Sequence, residues 1–186
     1  NIFVVKTDSN GNQQWSQNFN GGLNDIGYSV QQTTDGGYII CGMQEPSFQN
    51  SKVWLIKIDG NGNQQWDNTF GAFIYPGWDS RYNVKQTTDG GYIIACHYPT
   101  VSSTGISVGD SYLIKTDNNG NQQWNQNYNQ STNNAHLIDA NSVQQTTDGG
   151  YIICGSGVGI GNSWDITLVK TDTQGNLVWI KYFDYA

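Results

Sequence analysis

The sequence has few of the residues that build helices, bind phosphate or cross a membrane. Glu45 is its only glutamate and Met43 its only methionine, and both residue types favour helices. The 8 basic residues are outnumbered by 15 acidic ones, giving a formal charge of -7. A nucleic acid or an anionic membrane would therefore meet too few cations. No apolar run approaches the roughly 18 residues of a membrane span. We expect neither a nucleic-acid partner nor membrane insertion.

Residues of strands and turns are abundant instead. Asparagine and glutamine together number 39, beside 23 glycines, 7 tryptophans and 11 tyrosines. Aromatic residues favour strands, and glycine and asparagine favour turns. At 186 residues the chain matches about one domain on the usual prior of roughly 150 residues. The composition predicts a single all-β domain.

Two segments alternate along the whole chain. The first occurs four times and ends in tryptophan: VVKTDSNGNQQW, LIKIDGNGNQQW, LIKTDNNGNQQW and LVKTDTQGNLVW, ending at Trp15, Trp66, Trp124 and Trp179. The second occurs three times between them: SVQQTTDGGYIICG from Ser29, NVKQTTDGGYIIAC from Asn83 and SVQQTTDGGYIICG from Ser142. Each copy has two strand-like runs around a glycine-containing turn, the pattern of a β-hairpin. Two hairpins for each period predict four strands for each repeat.

Four-stranded repeats without a helix signal favour a β-propeller, in which each repeat forms one antiparallel blade. Runs such as Tyr38-Ile39-Ile40-Cys41 are apolar at successive positions, as a sheet covered on both faces requires. We predict about three and a half blades: a half blade at 1–20 and blades at about 21–70, 71–128 and 129–186. A sandwich or a solenoid fits the long period less well.

The strand-Asp-turn-Trp pattern, as in Leu113-Ile114-Lys115-Thr116-Asp117 through Gly120 to Trp124, resembles the repeat of quinoprotein-like (PQQ-type) propellers. The DGGYI segments are similar to repeats of secreted bacterial and archaeal surface proteins. The resemblance implies strands near 28–33, 37–42, 53–58 and 63–69 in the first complete blade. It also implies an extracellular or cell-surface location. The turn is one residue shorter than the usual quinoprotein form.

A half blade leaves an unpaired strand edge. The chain is therefore either an excerpt of a longer propeller, or another copy supplies the missing strands. This second alternative makes self-association through the incomplete blade one of the expected interactions.

Residues present in every repeat are assigned to structure. The four tryptophans are predicted to dock each blade on its neighbour and to need a partner for the indole N–H. The lysines that recur on the third strand are expected to cover a ring with their stems while the ammonium reaches water or the indole face. They are Lys6, Lys57, Lys115 and Lys170.

The motif Asp8-x-Asn10-x-Asn12 resembles the start of a calcium loop, but it lacks the closing bidentate acid. An Asx turn is the favoured interpretation. Cys41, Cys96 and Cys154 fall at or beside one position in successive repeats, too far apart for the roughly 4.4–6.8 Å between Cα atoms that a disulfide needs. We expect free, buried thiols. No metal and no cofactor is expected.

The connections that differ between repeats are where a binding site is expected, because loops on a rigid scaffold carry recognition. Their aromatic residues occur in one repeat each, and they could stack on a sugar or anchor a protein. They are Phe48, Phe73, Tyr75, Trp78 and Tyr98.

The sequence assembles no catalytic set. Arg81 is the only arginine, too few for a sialidase site, and His97 and His136 are the only histidines. Whether the chain is an enzyme stays open, and a non-catalytic role is favoured. We expect an extracellular propeller that acts as a scaffold or binding module in surface or matrix interactions, with a protein or glycan partner. The alternatives are a polysaccharide-binding or polysaccharide-degrading domain, and a structural subunit that self-assembles by strand sharing.

Overall fold

The computed structural model describes residues 1–48, 50–73, 81–101, 107–128, 136–158 and 164–183. Over these ranges the chain forms 14 strands and no helix, so the all-β prediction is confirmed. The strands are β1 (Ile2–Thr7), β2 (Gln13–Phe19), β3 (Asn24–Gln32), β4 (Tyr38–Ser47), β5 (Asn50–Ile58), β6 (Gln64–Phe73), β7 (Tyr82–Gln86), β8 (Tyr92–Val101), β9 (Ser107–Thr116), β10 (Gln122–Asn127), β11 (His136–Gln145), β12 (Tyr151–Val158), β13 (Trp164–Thr171) and β14 (Leu177–Phe183).

The strands form four antiparallel sheets in chain order. The first sheet holds β1 and β2, the second β3 to β6, the third β7 to β10 and the fourth β11 to β14. Within each sheet, every strand pairs with the next one along the chain. The turns from β3 to β4 and from β5 to β6 contain glycines at positive φ, Gly36 at +82° and Gly62 at +88°, a conformation that glycine adopts without strain.

The chain divides into two compact units, residues 1–76 and 77–186. In the first unit β1 packs on β3, so the first sheet lies against the second. In the second unit β11 packs against β7, β8 and β9, so the third sheet lies against the fourth. Each unit therefore contains one pair of consecutive sheets that pack against each other.

Each pair of sheets has its own apolar core. In the first unit the core includes Ile2, Phe19, Ile40 and Ile56, with Trp15 packed against it. In the second unit the buried residues come from five strands and from the residue that follows β10, with Trp124 and Ile180 beside them: Ile93, Ala95, Leu113, Tyr128, Ala140, Val143, Tyr151, Ile153 and Val169. The successive residues Ile39, Ile40 and Cys41 are all buried, which confirms that this strand is covered on both faces.

Two strands of the second sheet extend further than the sequence pattern indicated. The resemblance implies strands near 37–42 and 53–58, but β4 continues to Ser47 and β5 begins at Asn50. Pairing runs from Gln44 with Lys52 to Ser47 with Asn50, across an irregularity in the register. Proline and polar residues obscured this extension, since proline in a strand is confined to edges and bulges.

Candidate functional site

Trp15 connects the first sheet to the second. Its ring meets the ring of Tyr38 edge to face, with 6.0 Å between the centroids and 71° between the planes. Its indole N–H donates a hydrogen bond to the carbonyl oxygen of Gly60 at 3.1 Å. The ring also lies against Gly62, where a Cβ would be 3.0 Å from its nearest atom. The β2 strand is therefore held on the second sheet by an aromatic contact, a hydrogen bond and a turn glycine.

Trp124 makes the corresponding contact in the second unit. Its ring meets Tyr151 edge to face, with centroids 5.8 Å apart and planes at 62°. A Cβ on Gly175 would lie only 2.6 Å from the Trp124 ring. Nearby, the buried hydroxyl of Tyr128 donates a hydrogen bond to the Gly175 carbonyl oxygen at 2.6 Å, and burial raises the pKa of this phenol. The third sheet is therefore joined to the fourth through the same kind of residues.

The other two tryptophans differ from each other in exposure. Trp66 on β6 is half-buried. Trp179 on β14 is 37% exposed, and the ammonium of Lys181 lies 5.6 Å from the centroid of its ring. Ile166 and Cys154 of the fourth sheet are exposed as well. In the part of the chain that the structure describes, this face of the fourth sheet is open, and the docking role of Trp179 stays a prediction.

The prediction of three buried thiols is wrong at one position. Cys41 and Cys96 are buried and Cys154 is exposed, and none of the three forms a disulfide. Cys41 and Cys154 occupy corresponding strand positions, since they pair with Ser29 and Ser142. The difference arises because Cys154 belongs to the fourth sheet, whose open face also exposes Ile166 and Trp179.

The recurrent lysines bind the aspartate of the glycine turn in each four-stranded sheet. The Lys57 ammonium lies 2.8 Å from Asp35, and the pairs Lys115–Asp89 and Lys170–Asp148 measure 2.8 and 2.9 Å. Hydrogen bonds from Lys57 and Thr33, and then from the Gly37 amide, lower the pKa of Asp35. The prediction that these ammonium groups reach water or an indole face is therefore wrong for the complete sheets.

Lys6 is the exception among the recurrent lysines. Its ammonium lies 5.9 Å from the centroid of the Tyr38 ring. The first sheet contains only β1 and β2, so it has no glycine turn of the Thr-Thr-Asp-Gly-Gly type beside Lys6. No carboxylate within ion-pair distance faces this lysine among the described residues.

The calcium-like motif folds as an Asx turn, as predicted. Asp8 accepts hydrogen bonds from the amides of Asn10 and Asn12 at 2.8 and 2.9 Å and from the Asn12 side chain at 3.0 Å. Asp59, Asp117 and Asp172 repeat this arrangement. The side-chain hydrogen bond from Asn12, followed by the backbone amides, lowers the pKa of Asp8. Both carboxylate oxygens are occupied by donors of the turn itself.

The predicted binding residues of the variable connections are only partly described. Phe48 lies at the turn between β4 and β5 and is 78% exposed. Phe73 ends β6 and Tyr98 lies in β8, but their side chains fall outside the described part. Tyr75 and Trp78 lie wholly outside the described residues. The hypothesis of an aromatic recognition surface therefore stays a prediction.

A buried polar cluster lies in the second unit. His97 of β8 places Nε2 at 3.3 Å from Oδ1 of Asp139 on β11, and Ser156 Oγ donates to Asp139 Oδ2 at 3.1 Å. Sequence reasoning missed this pair because the two residues come from different sheets. The serine bonds the carboxylate and not the imidazole, whereas a nucleophilic triad needs the histidine between the two. The arrangement is therefore not a nucleophile–base relay.

The single glutamate is also used in structure. Glu45 is buried on β4, and its carboxylate accepts a hydrogen bond from the Asn24 side chain at 2.7 Å. Among the described ranges no group of three or more His, Cys, Asp or Glu side chains could hold a metal ion. No described helix is long and apolar enough to cross a membrane.

Comparison with known proteins gives no family. No family model and no curated protein matches the chain. Among solved structures, the chain is similar to a protein of unknown function from Bacteroides caccae, with a TM-score of 0.41 and 13% sequence identity. The similarity covers 96% of this chain and 74% of that one. A similarity with this TM-score and sequence identity does not indicate a function.

Proposed function

We propose that the chain belongs to a non-catalytic β-propeller that acts outside the cell as a scaffold or binding module in surface or matrix interactions. The observation that carries the proposal is the matching tryptophan contact in the two units, Trp15 on Tyr38 and Trp124 on Tyr151. Consecutive antiparallel sheets that stack by one repeated contact are what a series of propeller blades requires.

The repeated polar residues support a scaffold. The carboxylates of Asp35, Asp89 and Asp148 bind the lysines of their own sheets, and those of the Asx turns bind neighbouring amides. Polar groups that serve the same structural contact in every repeat are not available for chemistry. This distribution favours a module whose specificity resides in the unrepeated connections.

The unrepeated connections are the proposed binding face. The exposed ring of Phe48 lies at one of them, and the sequence places Trp78 and Tyr98 in or beside two others. Aromatic rings provide large contact areas for a sugar or a protein at small entropic cost. The partner that we propose is therefore a glycan or an extracellular protein.

A binding panel tests this function. The chain is applied to immobilised polysaccharides and purified matrix proteins, beside a Trp78→Ala, Tyr98→Ala double variant and the control Trp179→Ala, which removes an exposed indole elsewhere. We expect binding to at least one panel member, weakened about tenfold or more in the double variant and unchanged in the control. The proposal would be contradicted if no panel member binds, if the double variant binds as tightly as the unchanged chain, or if the chain cleaves a polysaccharide.

A further inference from the structure

The valine at one strand position is exposed in the second sheet and buried in the fourth. Val30 on β3 and Val143 on β11 occupy the same place in their repeats, pairing with Ile40 and Ile153. Val30 is 58% exposed, whereas Val143 is 1% exposed. The exposure of Val30 is therefore not a property of the strand position.

The difference has a structural cause. In the second unit Val143 is buried in one cluster with Ile93 and Ala95, which lie on β8, the second strand of the third sheet. The first sheet consists of β1 and β2 only, and these two strands correspond to β9 and β10. The described residues contribute no strands equivalent to β7 and β8 to the first sheet. Val30 is exposed where they would lie.

The absence of these strands from the described residues leaves a groove in the first unit. It has a volume of about 260 Å³ and is lined by Ile2, Val4, Tyr28, Val30 and Ile40, among others. A smaller recess of about 180 Å³ continues from it towards Lys6 and Tyr38. Along one side runs β1, which pairs only with β2 in the described structure. Its other edge presents backbone donors and acceptors to an incoming strand. We call this groove and edge together the acceptor groove.

The positive charge of Lys6 indicates which kind of segment binds in the acceptor groove. In each four-stranded sheet the recurrent lysine pairs with the aspartate of a Thr-Thr-Asp-Gly-Gly turn. Lys6 occupies the same place on β1, and its ammonium faces the Tyr38 ring, with no carboxylate of the described residues at ion-pair distance. An occupant that brings an aspartate to Lys6 would complete the charge pair that the three other sheets have. A charge-assisted hydrogen bond of this kind is stronger than a neutral one.

We propose that the acceptor groove binds one antiparallel β-hairpin that carries a Thr-Thr-Asp-Gly-Gly-Tyr turn and is not already part of a sheet. Its second strand pairs with the free edge of β1. The β4–β5 pairing sets the register: Tyr38 lies opposite Ile58, and Ile39 lies opposite Lys57. The tyrosine of the incoming hairpin therefore lies opposite Thr7, and the isoleucine that follows lies opposite Lys6. That isoleucine then covers Val30, as Ile93 helps to cover Val143.

A folded second copy does not offer such a hairpin. In the described structure the three hairpins of this type already pair with a third strand, through β4–β5, β8–β9 and β12–β13. Releasing one would break a complete ladder and expose its apolar residues. The occupant is therefore a hairpin with this sequence pattern that lies outside residues 1–186. The inference rests on the proposed stacking of propeller blades and adds to it the chemistry of one partner.

The test titrates the isotope-labelled chain with a synthetic peptide of residues 141–156 in which Cys154 is replaced by alanine. Resonance shifts locate the site, and native mass spectrometry gives the stoichiometry. We expect one peptide per chain, shifts at β1 and β3, and slower hydrogen exchange at the β1 amides that face away from β2. Substitution Val30→Asp should abolish binding, while Val178→Asp, at a residue 59% exposed on β14, should leave it unchanged.

A double-mutant cycle tests the lysine. Lys6→Met should weaken peptide binding about tenfold. The peptide change Asp148→Asn should weaken binding to the unchanged chain similarly and have little further effect on Lys6→Met. The substitutions of this cycle do not change the apolar residues of the groove. The cycle therefore still tests the proposal if Val30→Asp disturbs the fold.

Three outcomes would overturn the proposal. The first is that the peptide does not bind. The second is that the Val30→Asp and Lys6→Met variants bind it as tightly as the unchanged chain does. The third is that the chain alone forms a dimer in which the β1 amides are already protected from hydrogen exchange. The last would show strand exchange between copies instead. A failed titration together with a positive binding panel would refute the acceptor groove alone, because the panel tests the variable connections.

Discussion

The indole N–H of Trp15 donates to the carbonyl oxygen of Gly60 at 3.1 Å, and this bond joins the first sheet to a turn of the second. The same ring meets Tyr38 edge to face. Packing and hydrogen bonding thus act together at one half-buried residue, since the polar N–H of an indole that packs on a core needs a partner. The corresponding residue of the second unit, Trp124, packs on Tyr151 in the same way. The repeated sequence therefore encodes a repeated contact between sheets.

Removal of the Trp15 ring should destabilise the first unit. Trp15→Ala leaves a cavity between two sheets, with an expected loss of about 2–4 kcal/mol in the free energy of unfolding. Trp179→Ala removes a more exposed ring and should cost less than about 1 kcal/mol. Urea unfolding followed by circular dichroism measures both. Equal losses for the two variants would contradict the docking role of Trp15.

Alanine substitutions at two turn glycines distinguish the cost of backbone strain from the cost of a steric clash. Gly11 and Gly175 have φ values of +84° and +79°, so alanine is strained at both by roughly 1 kcal/mol. A Cβ at Gly11 meets nothing within 4 Å, whereas at Gly175 it lies 2.6 Å from Trp124. Gly175→Ala should therefore destabilise by about 1–3 kcal/mol more than Gly11→Ala. Thermal unfolding of both variants measures the difference, and no difference would refute the glycine–indole contact.

Lys57 and Lys6 form a matched pair of lysines. Lys57 is buried, and its ammonium bonds Asp35, the Ile58 carbonyl and the Gln65 side chain. Lys57→Met keeps the stem but leaves those acceptors unsatisfied, and it should cost about 1–3 kcal/mol. Lys6→Met removes no ion pair and should cost less than about 0.5 kcal/mol. A urea titration in which Lys6→Met is as damaging as Lys57→Met would contradict the assignment of Lys6 as unpaired with an acid.

Stability should fall in acid. Hydrogen bonds hold the pKa of Asp35 and of Asp148 below the ordinary value of 3.8 in the folded chain. Such groups stabilise the fold above their unfolded pKa and lose this contribution as the pH falls through the folded pKa. We expect a steady free energy of unfolding from pH 7 to about 5 and a decline below it. In Asp35→Asn the decline should be smaller. Urea titrations at pH 7 and pH 3 measure this, and an unchanged decline in that variant would contradict the role of Asp35.

Local features of the fold were predictable from the sequence. The hairpins, the glycines at positive φ and the Asx turn at Asp8 depend on residues within a few positions of one another. Gly36 shows this, since its φ of +82° follows from the Asp-Gly-Gly turn pattern. The burial of Ile39 and Ile40 likewise follows from a continuous apolar run.

Features between distant strands were not predicted. The Lys57–Asp35 pair joins the third strand of a sheet to its first turn. It was not predicted, although both residue types recur in each four-stranded repeat and this recurrence could have indicated the pair. The His97–Asp139 pair has no such recurrence, and it depends on how the third sheet lies on the fourth. The exposure of Cys154 depends on which face of its sheet is covered, which a local sequence pattern does not contain.

Residual dipolar couplings of the chain test the central claim most directly, because they give the orientation of one sheet relative to another. Propeller stacking predicts that one and the same rotation relates the first sheet to the second and the third sheet to the fourth. Two different rotations would contradict the account.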